Sequence, residues 1–202
     1  MKIKTILSKK GFTLVELVVA ITVAGIILAA VGTYFTNSYV AALKEQKKVK
    51  ISSDAKMALD RIVQDIRSTT GGASNSVVIY DSSGNVKTNT GDTGSIIYCN
   101  GNMFGNTNIW YGVNTAGATA GTRLLRLVNS NTTYQSSDWS ASAAVLNTST
   151  ISSNVKNFNV AITSADVNYI QYKISLTLSQ GSGINNVTTT VETKCTRYFK
   201  PN

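Results

Sequence analysis

Between Phe12 and Val31 the chain runs for twenty residues with a single charge, Glu16. Wound as an α-helix, that stretch is about 30 Å long, the thickness of a bilayer's hydrocarbon core. No further charged residue occurs until Lys44. An ordinary secretory signal has a shorter apolar run followed by a small-x-small cleavage site. Here a basic stretch ends in Gly11 and the apolar run follows it directly, so hydropathy alone leaves an uncleaved signal anchor equally open. Lys9 and Lys10 flank one end of the span, and Lys44, Lys47, Lys48 and Lys50 follow the other end after a polar spacer. The short, purely basic stretch beside the span slightly favours a cytoplasmic amino terminus with the rest of the chain outside.

Glu16 is the residue that needs a reason. A carboxylate within an apolar helix costs a few kcal/mol unless it is paired or protonated. One account is local: near a helix start a negative charge favours the macrodipole. The other is that it awaits a cation. Cutting the chain before Phe12 creates one, an α-amino group about one helical turn away, and between neighbouring subunits of a filament the same pair could set the axial register.

Gly11-Phe12-Thr13-Leu14-Val15-Glu16, followed by fourteen apolar or small residues from Leu17 to Ala30, resembles the cleavage and methylation signature of type IV prepilins. The resemblance is continuous over about twenty residues and specific, because it supplies a mechanism as well as a pattern. It implies cleavage between Gly11 and Phe12 by a membrane aspartyl prepilin peptidase, N-methylation of Phe12, and a docking role for Glu16. It also implies other pilin or pseudopilin subunits and a pilus assembly platform as partners, and residence first in the cytoplasmic membrane, single-pass, and then in an extracellular or periplasmic filament. The chain departs from many major pilins in having no proline inside the span; Gly25 and Gly32 are its weak points.

Beyond the span, Ile51, Ala55, Ala58, Ile62 and Ile66 recur at steps of four, three, four and four, and Leu59 and Val63 widen the stripe. That spacing predicts an amphipathic continuation of the same helix. Lys56/Asp60 and Arg61/Asp65 read as i,i+4 pairs on its solvated face, and Gly71-Gly72 as its stop. The predicted organisation is therefore a leader over 1–11, a long helix over 12–70 and a β-rich head over 71–202. Strands are expected at Val77–Tyr80, Ser95–Cys99, Ile109–Val113, Arg123–Val128, Val155–Thr163, Tyr169–Leu178 and Val187–Tyr198. The polar links between them favour an antiparallel meander whose apolar face covers the helical stripe, an α+β class. The run from Ala58 to Arg67, with a later Asn154-Val155-Lys156-Asn157-Phe158 and paired strands, is loosely similar to W-type and J-type minor pilins and pseudopilins.

Composition enters by exclusion. With no histidine, His-based acid/base chemistry and His-rich metal sites are removed. Asp138, Asp166 and Glu192 are scattered, so no catalytic pair, metal or cofactor is expected. Asp81-x-Ser83-x-Asn85 with Asp92 has partial calcium-loop spacing, but Val86 stands where a glycine should turn the loop, and a polar hairpin turn is preferred. The net charge of +9 includes four leader lysines, leaving +5 on the chain from Phe12, a weak argument for nucleic acid. Trp110, Tyr111, Tyr134 and Trp139 with Arg123 and Arg126 suit either a binding surface or a core, and core is the commoner role. Cys99 and Cys195 are expected to form a disulfide in an exported head, worth about 3–5 kcal/mol in the chain-entropy model, with two buried thiols as the alternative. The leading function is a structural filament subunit, more a minor pilin or pseudopilin than a major one. A membrane-anchored adhesin or DNA-binding surface protein is the second reading, and an anchored enzyme is disfavoured.

Overall fold

The structure is a computed structural model that describes residues 11–69, 76–101, 108–114, 123–129, 132, 134, 148–166, 168–181 and 186–198. One helix, α1, runs unbroken over Leu14–Arg67. Neither Gly25 nor Gly32 interrupts it, and a Cβ at either position would meet nothing within 4 Å. The helix ends short of the Gly71-Gly72 pair, which lies outside the described residues. The last turn closes on side chains, with Ser68 Oγ donating to the Asp65 carbonyl at 3.0 Å and Thr69 Oγ1 to the Ile66 carbonyl at 2.7 Å. Orphan carbonyls of a helix terminus are satisfied in this way.

The chain divides into two compact units, residues 1–45 and 46–202, with the division falling inside α1. In the first unit the apolar side chains are exposed, Phe12 at 80%, Ile26 at 71% and Leu28 at 70% among them. Its threonines satisfy themselves: Thr22 donates to the Val19 carbonyl, Thr33 to Ala29 and Thr36 to Gly32. Back-bonding of this kind gives each of these three hydroxyls an acceptor within the helix itself.

In the second unit α1 buries Ile51, Ala55, Ala58, Leu59, Ile62, Val63 and Ile66, the stripe predicted from spacing, and Asp65 with them. Ten strands follow among the described residues: β1 (Val77–Tyr80), β2 (Val86–Lys87), β3 (Thr93–Gly94), β4 (Ile96–Cys99), β5 (Asn108–Val113), β6 (Arg123–Asn129), β7 (Thr148–Ser153), β8 (Val155–Ala165), β9 (Tyr169–Gln180) and β10 (Val187–Tyr198). All pairings are antiparallel, as expected. They form two sheets rather than one meander, a six-stranded sheet ordered β2-β1-β4-β5-β6-β7 and a four-stranded sheet ordered β10-β9-β8-β3.

Two local devices make the division. Asn154 adopts φ of 61°, in the left-handed region, between β7 and β8, and so turns the chain from one sheet into the other. Asparagine tolerates that conformation better than most residues. At a second crossing, β3 hands over at Gly94, its last residue, to β4 through Ser95. A Cβ on Gly94 would collide with Ile79 Cγ2 and the Tyr80 carbonyl, so the close approach of the two sheets needs glycine there.

Side chains from α1 and both sheets share one core, which includes Ile62, Ile97, Tyr111, Leu124, Phe158, Val160, Tyr172 and Ile174. The far face of the six-stranded sheet carries a second cluster of Tyr80, Ile96, Tyr98, Trp110, Leu125 and Leu127. Because β4 and β5 are buried on both faces, their sequences Ile-Ile-Tyr-Cys and Ile-Trp-Tyr read as continuous apolar runs rather than alternations.

Candidate functional site

Gly11, Phe12 and Thr13 precede the helix in non-helical, exposed backbone. A Cβ placed on Gly11 would meet nothing within 4 Å, and its φ lies outside the left-handed region. Nothing among the described residues therefore requires glycine at position 11.

Helix α1 opens with a capping box that the sequence spells as Thr13-x-x-Glu16. Thr13 Oγ1 accepts from the Glu16 amide at 3.3 Å, while Glu16 Oε2 accepts from the Thr13 amide at 3.2 Å and from the Thr13 hydroxyl at 3.1 Å. Reciprocal bonds of this kind satisfy two of the free amides at a helix start. Glu16 is the acidic residue of the first turn, where the dipole favours it. Within a single chain the local account of Glu16 thus has a geometry. The box engages Oε2 only, and among the described residues Oε1 receives no hydrogen bond. The carboxylate retains acceptor capacity for a cation from another chain.

The buried polar centre of the head joins α1 to the six-stranded sheet. Asp65, 4% exposed, accepts at Oδ2 from the Tyr111 hydroxyl at 2.5 Å and from Arg126 Nε at 2.8 Å. Arg126 Nε also reaches the Tyr111 oxygen at 3.2 Å, and Arg61 Nε stands 3.7 Å from the same carboxylate oxygen. The reading of Arg61/Asp65 as a solvated pair is corrected here: Arg61 is half-exposed, but Asp65 turns inward because two partners on β5 and β6 meet it. Burial, then the Asp65 charge, push the Tyr111 phenol well up, so it stays protonated and donates.

The aromatic and arginine residues do not form one surface. Tyr111 and Arg126 face α1, whereas Trp110 packs on the opposite side of the sheet against Tyr80 and Tyr98 with ring centroids 5.5 and 4.4 Å apart. Tyr134 stacks on Tyr80 at 6.0 Å, and Arg123 is exposed. Trp139 and Asp138 lie outside the described residues.

The calcium-like spacing resolves into two self-satisfied turns. Asp81 accepts from the Ser83 and Asn85 amides, each at 2.9 Å, and pairs with Lys87 at 3.3 Å. Hydrogen bonds from the Asn85 backbone and side chain hold its pKa down at about 2. Asp92 accepts from the Thr88 and Asn89 amides.

Cys99 on β4 and Cys195 on β10 are free thiols, both buried within the shared core. Val77 pairs with Cys99 in one sheet and Tyr172 with Cys195 in the other, and the Tyr172 hydroxyl donates to the Val77 carbonyl at 3.3 Å. The two cysteines therefore flank the same contact between sheets. Burial raises both thiols, Cys99 well above its ordinary range with the Asp65 charge and Cys195 adding to the shift, so neither is an activated nucleophile.

Comparison with known proteins finds the prokaryotic N-terminal methylation motif over residues 6–32, the type IV prepilin signature. No curated protein and no solved structure matches the chain.

Proposed function

We propose that this chain is the precursor of a filament subunit, a minor pilin or pseudopilin of a type IV pilus or type II secretion-like system. A prepilin peptidase cuts between Gly11 and Phe12, and the new Phe12 amine is N-methylated. The mature chain sits in the cytoplasmic membrane with its head outside until the assembly platform draws it into a filament of sister subunits. The observation that carries this reading is the junction itself, where the methylation motif coincides with an exposed, non-helical Gly11-Phe12 bond at the mouth of a helix apolar enough to cross a membrane. The exposed apolar surface of residues 14–43 supports helix-mediated packing, because a surface of that kind has to be covered by lipid or by other helices.

Glu16 takes the docking role in this account. In hydrocarbon its carboxylate gains by meeting the Phe12 amine of a neighbouring subunit. Glu16→Ala is expected to leave the leader cut, since the scissile bond is untouched, and to leave insertion intact, since the span becomes more apolar. It also removes the capping box, worth about 1 kcal/mol at one helix end. Incorporation is expected to fall. The ratio of processed protein in sheared filaments to processed protein in membranes reads this out, and an unchanged ratio would leave Glu16 with the cap alone. Glu16→Gln separates the two roles: it keeps an acceptor for Thr13 but loses the charge, and it is expected to behave as Glu16→Ala.

The proposal extends to the cysteines: outside the membrane a thiol oxidant or a disulfide donor takes two electrons and two protons from Cys99 and Cys195 and leaves a bridge between the two sheets. Protein isolated without reductant and then denatured is expected to resist alkylation at Cys99 and Cys195 until reduced. Two reactive thiols before reduction would make the free pair the native state.

A further inference from the structure

The four-stranded sheet ends in an open edge. β10 pairs with β9 along its whole length, Val187 against Gln180 through Tyr198 against Tyr169, and among the described residues no strand lies on its other side. An edge strand of twelve residues with no strand beside it is a template for another strand. Natural edges carry charges that restrict what can pair, and here the charges are arranged asymmetrically. The first half, Val187–Thr193, has one charge, Glu192, while the second, Lys194–Tyr198, has Lys194 and Arg197. An open groove of about 530 Å³ runs beside the second half, lined by Arg67, Lys194, Thr196, Arg197 and Tyr198.

We infer that β10 pairs with β10 of a second copy of this chain, antiparallel and centred on Thr193, so that Glu192 of each copy meets Lys194 of the other. The strand reads as a chemical palindrome about that residue: Glu192 opposite Lys194, Val191 opposite Cys195, Thr190 opposite Thr196. Shifting the centre by one residue puts Glu192 against Glu192 or Lys194 against Lys194. A shift by two sets no charge opposite another: centred on Val191, Glu192 and Lys194 face Thr190 and Thr188, and centred on Cys195 they face Tyr198 and Thr196. Only the Thr193 register sets unlike charges directly opposite, the arrangement that stabilises cross-strand pairs. Glu192 and Lys194 share the outward face of the sheet and are both exposed. Lys194 needs such a partner, because its neighbour within the sheet is Lys173 and Glu192 is held by Lys173 Nζ at 2.9 Å. In the pair, each Glu192 lies between Lys173 of its own chain and Lys194 of the other, and the acidic half of each strand enters the basic groove beside the other.

A contact of this kind is isologous and closes on two chains, unlike the open, head-to-tail contacts of a filament. It is therefore independent of assembly through the amino-terminal helix.

The test uses the full chain in detergent with Thr193→Cys, a short bis-maleimide crosslinker, and Thr189→Cys as the control. Residue 193 faces itself across the two-fold axis, whereas residue 189 faces Arg197 of the other copy and lies far from its own counterpart. Thr193→Cys is expected to give crosslinked dimer and Thr189→Cys only the background of the unsubstituted chain. Adding Glu192→Lys or Lys194→Glu to Thr193→Cys sets like charges opposite at two places and is expected to lower the yield roughly tenfold, and the two changes together are expected to restore it. Equal crosslinking at residues 193 and 189, or single charge changes that leave the yield at residue 193 unaltered, would overturn the inference.

Discussion

Asp65→Ala is expected to destabilise the head more than any single change at its surface. The side chain is almost fully buried, and its carboxylate is the shared acceptor for Tyr111 and Arg126. Removing it leaves the Arg126 guanidinium, itself largely withdrawn from water, without its counter-charge, and the Tyr111 hydroxyl without its acceptor. Breaking a buried pair from one side costs about 3–5 kcal/mol. For a folded unit of this size that lowers the unfolding midpoint by on the order of 10 °C. The neighbouring Asp60 is exposed, and Asp60→Ala is expected to change stability by less than about 0.5 kcal/mol. Thermal unfolding of the two full-length variants in the same detergent separates the cases. Equal midpoints would mean that the Asp65 cluster does not hold α1 to the six-stranded sheet. Tyr111→Phe is expected to fall between them, at about 1–2 kcal/mol, because it deletes one hydrogen bond and leaves the ion pair.

The second large effect lies at the other end of the chain and concerns maturation rather than stability. Gly11→Glu is expected to abolish removal of the leader while leaving the head folded. Among the described residues there is no internal reason for glycine at this position: a Cβ there would meet nothing within 4 Å, and its φ is not in the left-handed region. On the proposed function, a peptidase that approaches the backbone closely would supply that reason, since glycine alone presents no side chain there. The expected result is accumulation of the full-length precursor in the membrane fraction, with an unfolding midpoint for the head equal to that of the unaltered chain. Normal processing of Gly11→Glu would show that the bond is not read in this way.

Parts of this architecture were legible in the residues and parts were not, for physical reasons. The helical stripe from Ile51 to Ile66 was readable because a helix with one buried face repeats every three or four residues. Val77–Tyr80 and Val187–Tyr198 were readable because β-branched residues cluster there between polar turns. β2 and β3 have two residues each and carry no pattern. β7, Thr-Ser-Thr-Ile-Ser-Ser, has one large apolar side chain and resembles a loop. The division into two sheets depends on the φ of Asn154 and the bare backbone of Gly94, and neither conformation is visible in composition or periodicity. Asp65 was misread because an i,i+4 partner, Arg61, lay close in sequence, while its stronger partners lie 46 and 61 residues away. The capping box went unread although Thr13-x-x-Glu16 is its signature, because Glu16 was weighed only against the dipole and a partner cation; the structure supplies the reciprocal bonds.

At the candidate site, the methylation motif was readable because it is a linear signal. Gly11, Phe12 and Glu16 fall within six consecutive residues, and the structure adds that the Gly11-Phe12 bond is exposed and the helix begins just beyond it. The β10 edge is different in kind. Its Glu192-Thr193-Lys194 centre is present in the sequence, but nothing in the sequence says that this strand, rather than β9, lies at the edge.

The central claim is that the chain is a prepilin whose mature form begins at Phe12. Mass spectrometry of the amino terminus of assembled, sheared material tests it most directly. The predicted result is a chain that starts at Phe12 and carries one added methyl group on its α-amine; an intact sequence from Met1 in assembled material would contradict it.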